Sequence, residues 1–286
     1  MIKTTVVKEG FEGIYFEAND KKDKVVIVVS GSNGGMKITK DCAEFYYRNG
    51  VSALAVALFK TKGTQKDLDR VPIEYIESAI RWLKELGYRR IGIDGTSKGS
   101  EIALFSATMF PELTCVIARV PSHFISEGLL IKGKTKMPSG TSCWSYRGVE
   151  IPYAPYNARK FNLPKILIKE KELHLITINR EKTVKEEHLI PVEKINGPVL
   201  LISAVNDKVW PSYESGMYLE KRLQEKEFAK PFKHIAYPTM SHAMLTEISW
   251  LYKLAFKTER QNKKQCAVER AQLAKELLKW VNEVWI

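Results

Sequence analysis

Cysteine is scarce in this chain, and its placement excludes several kinds of chemistry. Cys42, Cys115, Cys143 and Cys266 form no Cys-x-x-Cys pair and have no histidine at metal-ligand spacing. Neither a metal site nor a disulfide framework is expected, and the four thiols are read as reduced and mostly buried. Also missing is any stretch near the roughly 18 uninterrupted apolar residues of a membrane span. The start, Met1-Ile2-Lys3-Thr4, lacks the apolar core of a secretory signal, so a cytoplasmic location is the expectation. No glycine-rich segment ends in the Gly-Lys-Ser/Thr of a phosphate-binding loop and no dinucleotide fingerprint is present, so no cofactor is called for. The formal charge of +12 is dispersed among acidic residues with no basic stripe, zinc finger or aromatic RNA-binding signature, which argues against nucleic acid as a partner. A lysine-rich solvated surface and an anionic small-molecule ligand both remain compatible with that charge.

What is present is a chain of 286 residues, 44% hydrophobic and 27% charged, a composition that buries a sizeable core. Segments 3–7 and 11–17 flank Lys8-Glu9-Gly10 and predict an opening hairpin. Lys24 to Val29 is a valine-rich buried strand that empties into Ser30-Gly31-Ser32-Asn33-Gly34-Gly35. A helix over 41–48 and a strand over 51–58 follow. Ile73, Ile76, Ile80 and Leu83 recur at helical spacing and predict a helix from Val71 to Leu86, with Pro72 in its first turn. Strands are expected at 89–94, 113–120, 198–203 and 232–237, and helices at 212–223 and 264–284. This alternation implies an α/β fold, a mainly parallel sheet with helices on both faces. Residues 121–195 break the pattern with Gly, Pro, Trp, Tyr and Lys, and are read as a cap inserted into one domain spanning 1–286.

Chemistry enters at Gly95-Thr96-Ser97-Lys98-Gly99, between the strand at 89–94 and a helix-like run carrying Ile102, Ala103, Leu104 and Ala107. A serine on a tight strand-to-helix turn needs glycines two residues to either side, because side chains there would strike the neighbouring strand and helix. An ordinary Gly/Ser loop is the plainer reading. The rest of the chain decides between them, since a serine hydroxyl needs a base, and the base needs an orienting acid. Asp207 lies directly after the strand at 199–203 and His242 directly after the strand at 232–237. Ser, Asp, His is the chain order of an α/β-hydrolase. Among the other histidines, His234 sits within a strand, His174 and His188 are expected to be solvated in the cap, and His123 is kept as an alternative base or substrate contact. Of the other acids, Asp94 is too close to the elbow and Glu101 is expected to point along the helix. The loop at 30–35 offers the N–H of Ser32, and the helix start that of Lys98, as an oxyanion hole. Asn33, His123 and Trp210 are read as substrate-binding positions.

The chain resembles the catalytic domain shared by acyl-CoA thioesterases and bile acid-CoA:amino acid N-acyltransferase. The likeness is carried by Gly95-Thr96-Ser97-Lys98-Gly99-Ser100-Glu101, by Ile190-Pro191-Val192-Glu193-Lys194-Ile195-Asn196-Gly197-Pro198-Val199-Leu200, by Asp207-x-x-Trp210-x-Ser212 and by Tyr237-Pro238 leading to His242. It implies a serine hydrolase acting on acyl thioesters, with Ser97 as nucleophile, His242 as base and Asp207 as orienting acid. The family associates a cysteine nucleophile with amino-acid conjugation and serine with hydrolysis. Animal members carry a β-sandwich domain before the catalytic one, where this sequence is expected to hold only the opening hairpin, and often a paired acid where Asn206 precedes Asp207. A phosphorylated carrier would make Lys132, Lys134, Lys136, Arg147 and Arg159 its candidate contacts, while Trp144, Tyr146, Tyr153 and Tyr156 would wall an acyl pocket. A carboxylesterase for small esters, an acyltransferase to an amine, and an acyl-ligand or partner-binding scaffold without activity fit the same residues.

Overall fold

The computed structural model describes residues 1–18, 22–133, 135–156, 161–162 and 183–286. Its centre is an eight-stranded sheet in the order β1-β2-β4-β3-β6-β7-β13-β14. These strands are β1 (Ile2–Thr4), β2 (Glu12–Phe16), β3 (Lys24–Val29), β4 (Ser52–Ala57), β6 (Arg90–Thr96), β7 (Leu113–Arg119), β13 (Val199–Ala204) and β14 (Phe232–Tyr237). From β4 to β14 every neighbouring pair is parallel, and β2 joins antiparallel to β4. The helices are α1 (Val6–Glu9), α2 (Lys37–Arg48), α3 (Glu74–Glu85), α4 (Lys98–Met109), α5 (Ser212–Glu225), α6 (Trp250–Ala255), α7 (Lys257–Gln261) and α8 (Lys263–Lys279). Among the described residues, no helix is long and apolar enough to cross a membrane.

The continuous apolar runs exist because the sheet is covered on both faces. Along β3, Val25, Ile27 and Val29 enter one core with Ile76 and Ile80 of α3 and Ala103 of α4. Val26 and Val28 of the same strand enter a second core with Ala43 and Tyr46 of α2 and Leu273 and Leu277 of α8. The Pro191-Val192-Glu193 segment closes the first core beside α5, where Arg222 donates to both Glu193 carboxylate oxygens at 2.7 and 2.9 Å.

Four boundaries depart from the sequence expectation. The opening antiparallel pair is joined by the single-turn helix α1, because the Thr5 hydroxyl accepts from the Lys8 N–H and Gly10 closes the turn at φ 83°. The helix expected from Val71 begins at Glu74 because Val71–Pro72 forms a short strand, β5, in which the Val71 N–H donates to the Cys143 carbonyl at 2.8 Å. α2 starts a turn earlier than expected, at Lys37. The terminal helix ends as a π-turn over Trp280–Val284.

Residues 121–195 leave the sheet after β7 and return at β13. Their described parts form β8 (Glu127–Lys132), β9 (Thr135–Ser142), β10 (Trp144–Tyr146), β11 (Val149–Glu150) and β12 (Phe161–Asn162). They make a three-stranded sheet of their own, β12-β9-β8, and a second with β5 at its edge, β11-β10-β5. The expected carrier contacts Lys134 and Arg159, and His174, lie outside the described residues.

Ile27 has no exposed surface and stands mid-strand at the centre of the sheet. Ile27→Ala is expected to destabilise the protein by about 2–5 kcal/mol, read as a lowered urea midpoint with an unchanged slope.

Candidate active site

Ser97 stands between the end of β6 and the first residue of α4 with φ 60° and ψ −122°, a conformation that side-chain-bearing residues rarely adopt and that functional turns store as strain. Two glycines make it possible. A Cβ on Gly95 would lie 2.0 Å from the Gly99 carbonyl oxygen, and one on Gly99 would lie 2.6 Å from the Val29 carbonyl oxygen. The turn is held from below by the Ser97 N–H, which donates to the Arg119 carbonyl at 2.9 Å.

The structure brings the three predicted residues together. Ser97 Oγ is 2.8 Å from His242 Nε2, and His242 Nδ1 is 2.8 Å from Asp207 Oδ2. Asp207 Oδ2 also accepts from Ser212 Oγ at 2.7 Å, and Oδ1 accepts from the Val209 N–H at 2.8 Å. With donors converging on this carboxylate, the proton of His242 belongs on Nδ1, leaving Nε2 to accept from the Ser97 hydroxyl. The Ser97 hydroxyl therefore faces a ring nitrogen free to accept from it.

Behind Ser97 and His242 lies a set of buried charges. On β7, Arg119 donates to both carboxylate oxygens of Asp94 at 2.9 and 2.8 Å, and to the Met244 carbonyl at 3.2 Å. Tyr46 donates to the same Asp94 at 2.7 Å. On α8, Arg270 donates to the carbonyls of Ala243 and Leu245 at 3.3 and 2.6 Å and to Glu259, and Glu259 accepts from Ser241 Oγ at 2.8 Å. Glu269 accepts from the Thr239 and Met240 N–H groups at 3.1 and 2.7 Å. The loop carrying His242 is thus fixed along its length. Arg119 and Asp94 are charges inside otherwise apolar strands, which is itself a sequence signal, since a buried charge requires a buried partner.

The site opens into a cavity of about 130 Å³. Its polar wall includes Ser32, Asn33, Ser97, Lys136 and His242, and its apolar wall Ile38, Val209, Leu245, Tyr252 and Phe256. Gly31 brings the loop against the serine, since a Cβ there would lie 2.8 Å from Ser97 Cβ. Ser32 follows directly, and Lys98 is the first residue of α4, whose N-terminal N–H groups have no acceptor within the helix. Asn33 lines the cavity as expected.

Other expected contacts lie elsewhere. His123 pairs with Ser215 Oγ at 3.0 Å and packs on the Tyr218 ring, outside the cavity wall. Trp210 stands edge-to-face with the His242 ring at 5.1 Å and donates to the Val120 carbonyl, so it packs on His242 instead of lining the pocket. Trp144 is buried and donates to Glu101 at 2.8 Å, while Tyr146 and Tyr153 donate to Glu77 and to the Gly140 carbonyl. Glu101 does not run along its helix. It turns into the protein to accept from the Ser126 N–H at 3.0 Å and to pair with Lys98 Nζ at 3.3 Å. His188 is buried, accepting from the Lys185 N–H at 3.0 Å. His234 is bonded to Ser203 Oγ at 2.7 Å, a cross-strand role. The pocket walls from α6 were missed because a six-residue helix carries too little periodicity to reveal its inner face.

Residues 71–251 match the family described as BAAT / acyl-CoA thioester hydrolase C terminal. The chain belongs to this family. Among curated relatives, rat acyl-coenzyme A thioesterase 1 is 24% identical over 220 residues, covering 76% of this chain and 48% of the relative. The mouse peroxisomal succinyl-coenzyme A thioesterase is 23% identical over 222 residues, again 76% and 48%. The chain therefore spans about half the length of the curated relatives it matches. In fold it is similar to a candidate dienelactone hydrolase from Klebsiella pneumoniae, with a TM-score of 0.59, 16% identity, and coverage of 99% of this chain and 98% of that one. It is also similar to Est1E from Butyrivibrio proteoclasticus with ferulic acid bound, with a TM-score of 0.53, 14% identity, and coverage of 96% and 97%. The fold of this family member is that of the α/β-hydrolases.

Replacing Arg119 with Met leaves Asp94 buried without its counter-ion and is expected to cost about 3–5 kcal/mol. Adding Asp94→Val should restore most of the loss in urea unfolding. An equally unstable double variant would show that the penalty does not come from the unpaired charge.

Proposed function

We propose that the protein is a serine hydrolase that cleaves acyl thioesters, with acyl-CoA as the carrier-bound substrate. The observation that carries this reading is the unbroken hydrogen-bonded series from Ser97 Oγ through His242 to Asp207, two links of 2.8 Å each, opening onto one cavity in a member of a thioester hydrolase family. Relatives named for acyl-coenzyme A and succinyl-coenzyme A thioester cleavage support the substrate class.

In the proposed reaction, Ser97 Oγ attacks the thioester carbonyl carbon as His242 Nε2 takes the hydroxyl proton. Negative charge gathers on the carbonyl oxygen, where the N–H groups of Lys98 and Ser32 receive it, aided by the positive end of α4. Collapse of this intermediate breaks the carbon–sulfur bond, and the thiol leaves with the proton held on His242. The acyl group is then an ester of Ser97. Water deprotonated by His242 attacks that ester, and the carboxylate product departs as the serine regains its proton. Asp207 holds Nδ1–H throughout and stabilises the imidazolium that forms twice per cycle.

Ser97→Ala keeps the turn geometry and is expected to lower kcat on an acyl-CoA by roughly 10³-fold or more, with an unchanged far-UV spectrum and no labelling by a fluorophosphonate. Turnover at the wild-type rate would sink the proposal. Higher kcat/KM on nitrophenyl esters than on any acyl-CoA would redirect it to a carboxylesterase.

A further inference from the structure

Most of the buried charges described around the site have a carboxylate partner. Arg119 has Asp94, Lys98 has Glu101 and Arg270 has Glu259. Lys136, delivered by β9 into the cavity that holds Ser97 and His242, is different. Its Nζ donates to the Ser32 carbonyl at 2.7 Å and to Ser32 Oγ at 3.0 Å, both neutral oxygens. Among the described residues no carboxylate lies within ion-pair distance of it, and the charged groups that act on it are the cations Lys60 and Lys98. Burial first, and then these two cations, push the Lys136 ammonium down to about 8.

An ammonium carries three donors, and Ser32 receives two. A buried cation without a counter-ion is costly to fold around, and such groups concentrate where a ligand supplies the missing charge. The rest of the cavity defines that ligand further. Opposite the cation, the other wall is formed by Ile38, Leu245, Tyr252 and Phe256. That lining suits an apolar chain with one anionic end. The phosphates of a coenzyme A carrier sit at the far end of a pantetheine arm from the reacting sulfur, whereas Lys136 is bonded to Ser32 beside Ser97.

We propose that Lys136 determines acyl specificity by selecting acyl thioesters that end in a carboxylate. This rests on the Ser97-centred hydrolase reading of the same cavity. The free carboxylate accepts the third Lys136 proton while the thioester carbonyl lies at Ser97, so the cation fixes the chain at its far end and Ser32 fixes it at the reacting end.

The test compares 3-carboxypropanoyl and butanoyl thioesters, each on coenzyme A and on N-acetylcysteamine, which carries no phosphate. Wild type is expected to favour the carboxylate-ended acyl group on both carriers. In Lys136→Met the ratio of the two kcat/KM values should fall about 10- to 100-fold, the range of one charge-assisted hydrogen bond, while Lys136→Arg should retain the preference. An equal fall for both acyl groups would reduce Lys136 to a support for Ser32 and overturn the proposal. A Lys136→Met effect present with coenzyme A and absent with N-acetylcysteamine would assign the cation to the carrier phosphates and overturn it as well. Binding keeps this separate from the hydrolase reading. By calorimetry, Ser97→Ala protein should bind the carboxylate-ended thioester more tightly than butanoyl, and the S97A/K136M double variant should not. If that difference holds while wild type cleaves neither thioester, Lys136 is assigned correctly and the hydrolase reading fails.

Discussion

The site depends on a close approach of backbone to backbone at the head of the central strand. Gly95 and Gly99 let α4 start almost on top of β6, and that crowding forces Ser97 into its positive-φ turn. Because the turn belongs to a strand flanked by β3 and β7, it is anchored in the most buried part of the sheet. The loops after β3, β7, β13 and β14 emerge around it at the same sheet edge, as expected for ligand sites in parallel α/β sheets. Ser97, His242, Asp207 and the loop of Ser32 thus meet as a result of strand order.

Charge does the finer positioning. Apolar packing has no preferred direction, whereas a buried arginine bonded to fixed carbonyls holds them at set distances and angles. The loop after β14 is held by Arg119, Arg270, Glu259 and Glu269, which arrive from β7, α7 and α8. Lys98 and Glu101 do the same on the other side, joining the helix that starts at Ser97 to Ser126 and Trp144 in residues 121–195. The strands that carry the reactive groups are therefore tied to elements distant in sequence.

The parts of this arrangement that could be read in the sequence obey local rules. The elbow announces itself through two glycines, and Asp207 and His242 through their places just after apolar runs. The sheet follows from strand and helix alternation. What escaped was decided by tertiary partners. Pro72 looked like a helix start until β10 offered Val71 a strand to pair with. Glu101 reads as pointing along its helix and His188 as solvated, yet both are buried by segments more than twenty residues away in the chain. Trp210 and His123 had the right chemistry for substrate contact, and neighbouring rings claimed both of them.

Arg119 occupies two positions in this scheme at once. Its backbone carbonyl receives the N–H of Ser97, and its guanidinium donates to the loop just beyond His242. One residue is therefore the shared footing of Ser97 and of the loop that carries His242. A substitution that displaces Arg119 would be felt at both places at once, and the pairing of Ser97 with His242 has no need of a separate strut for each.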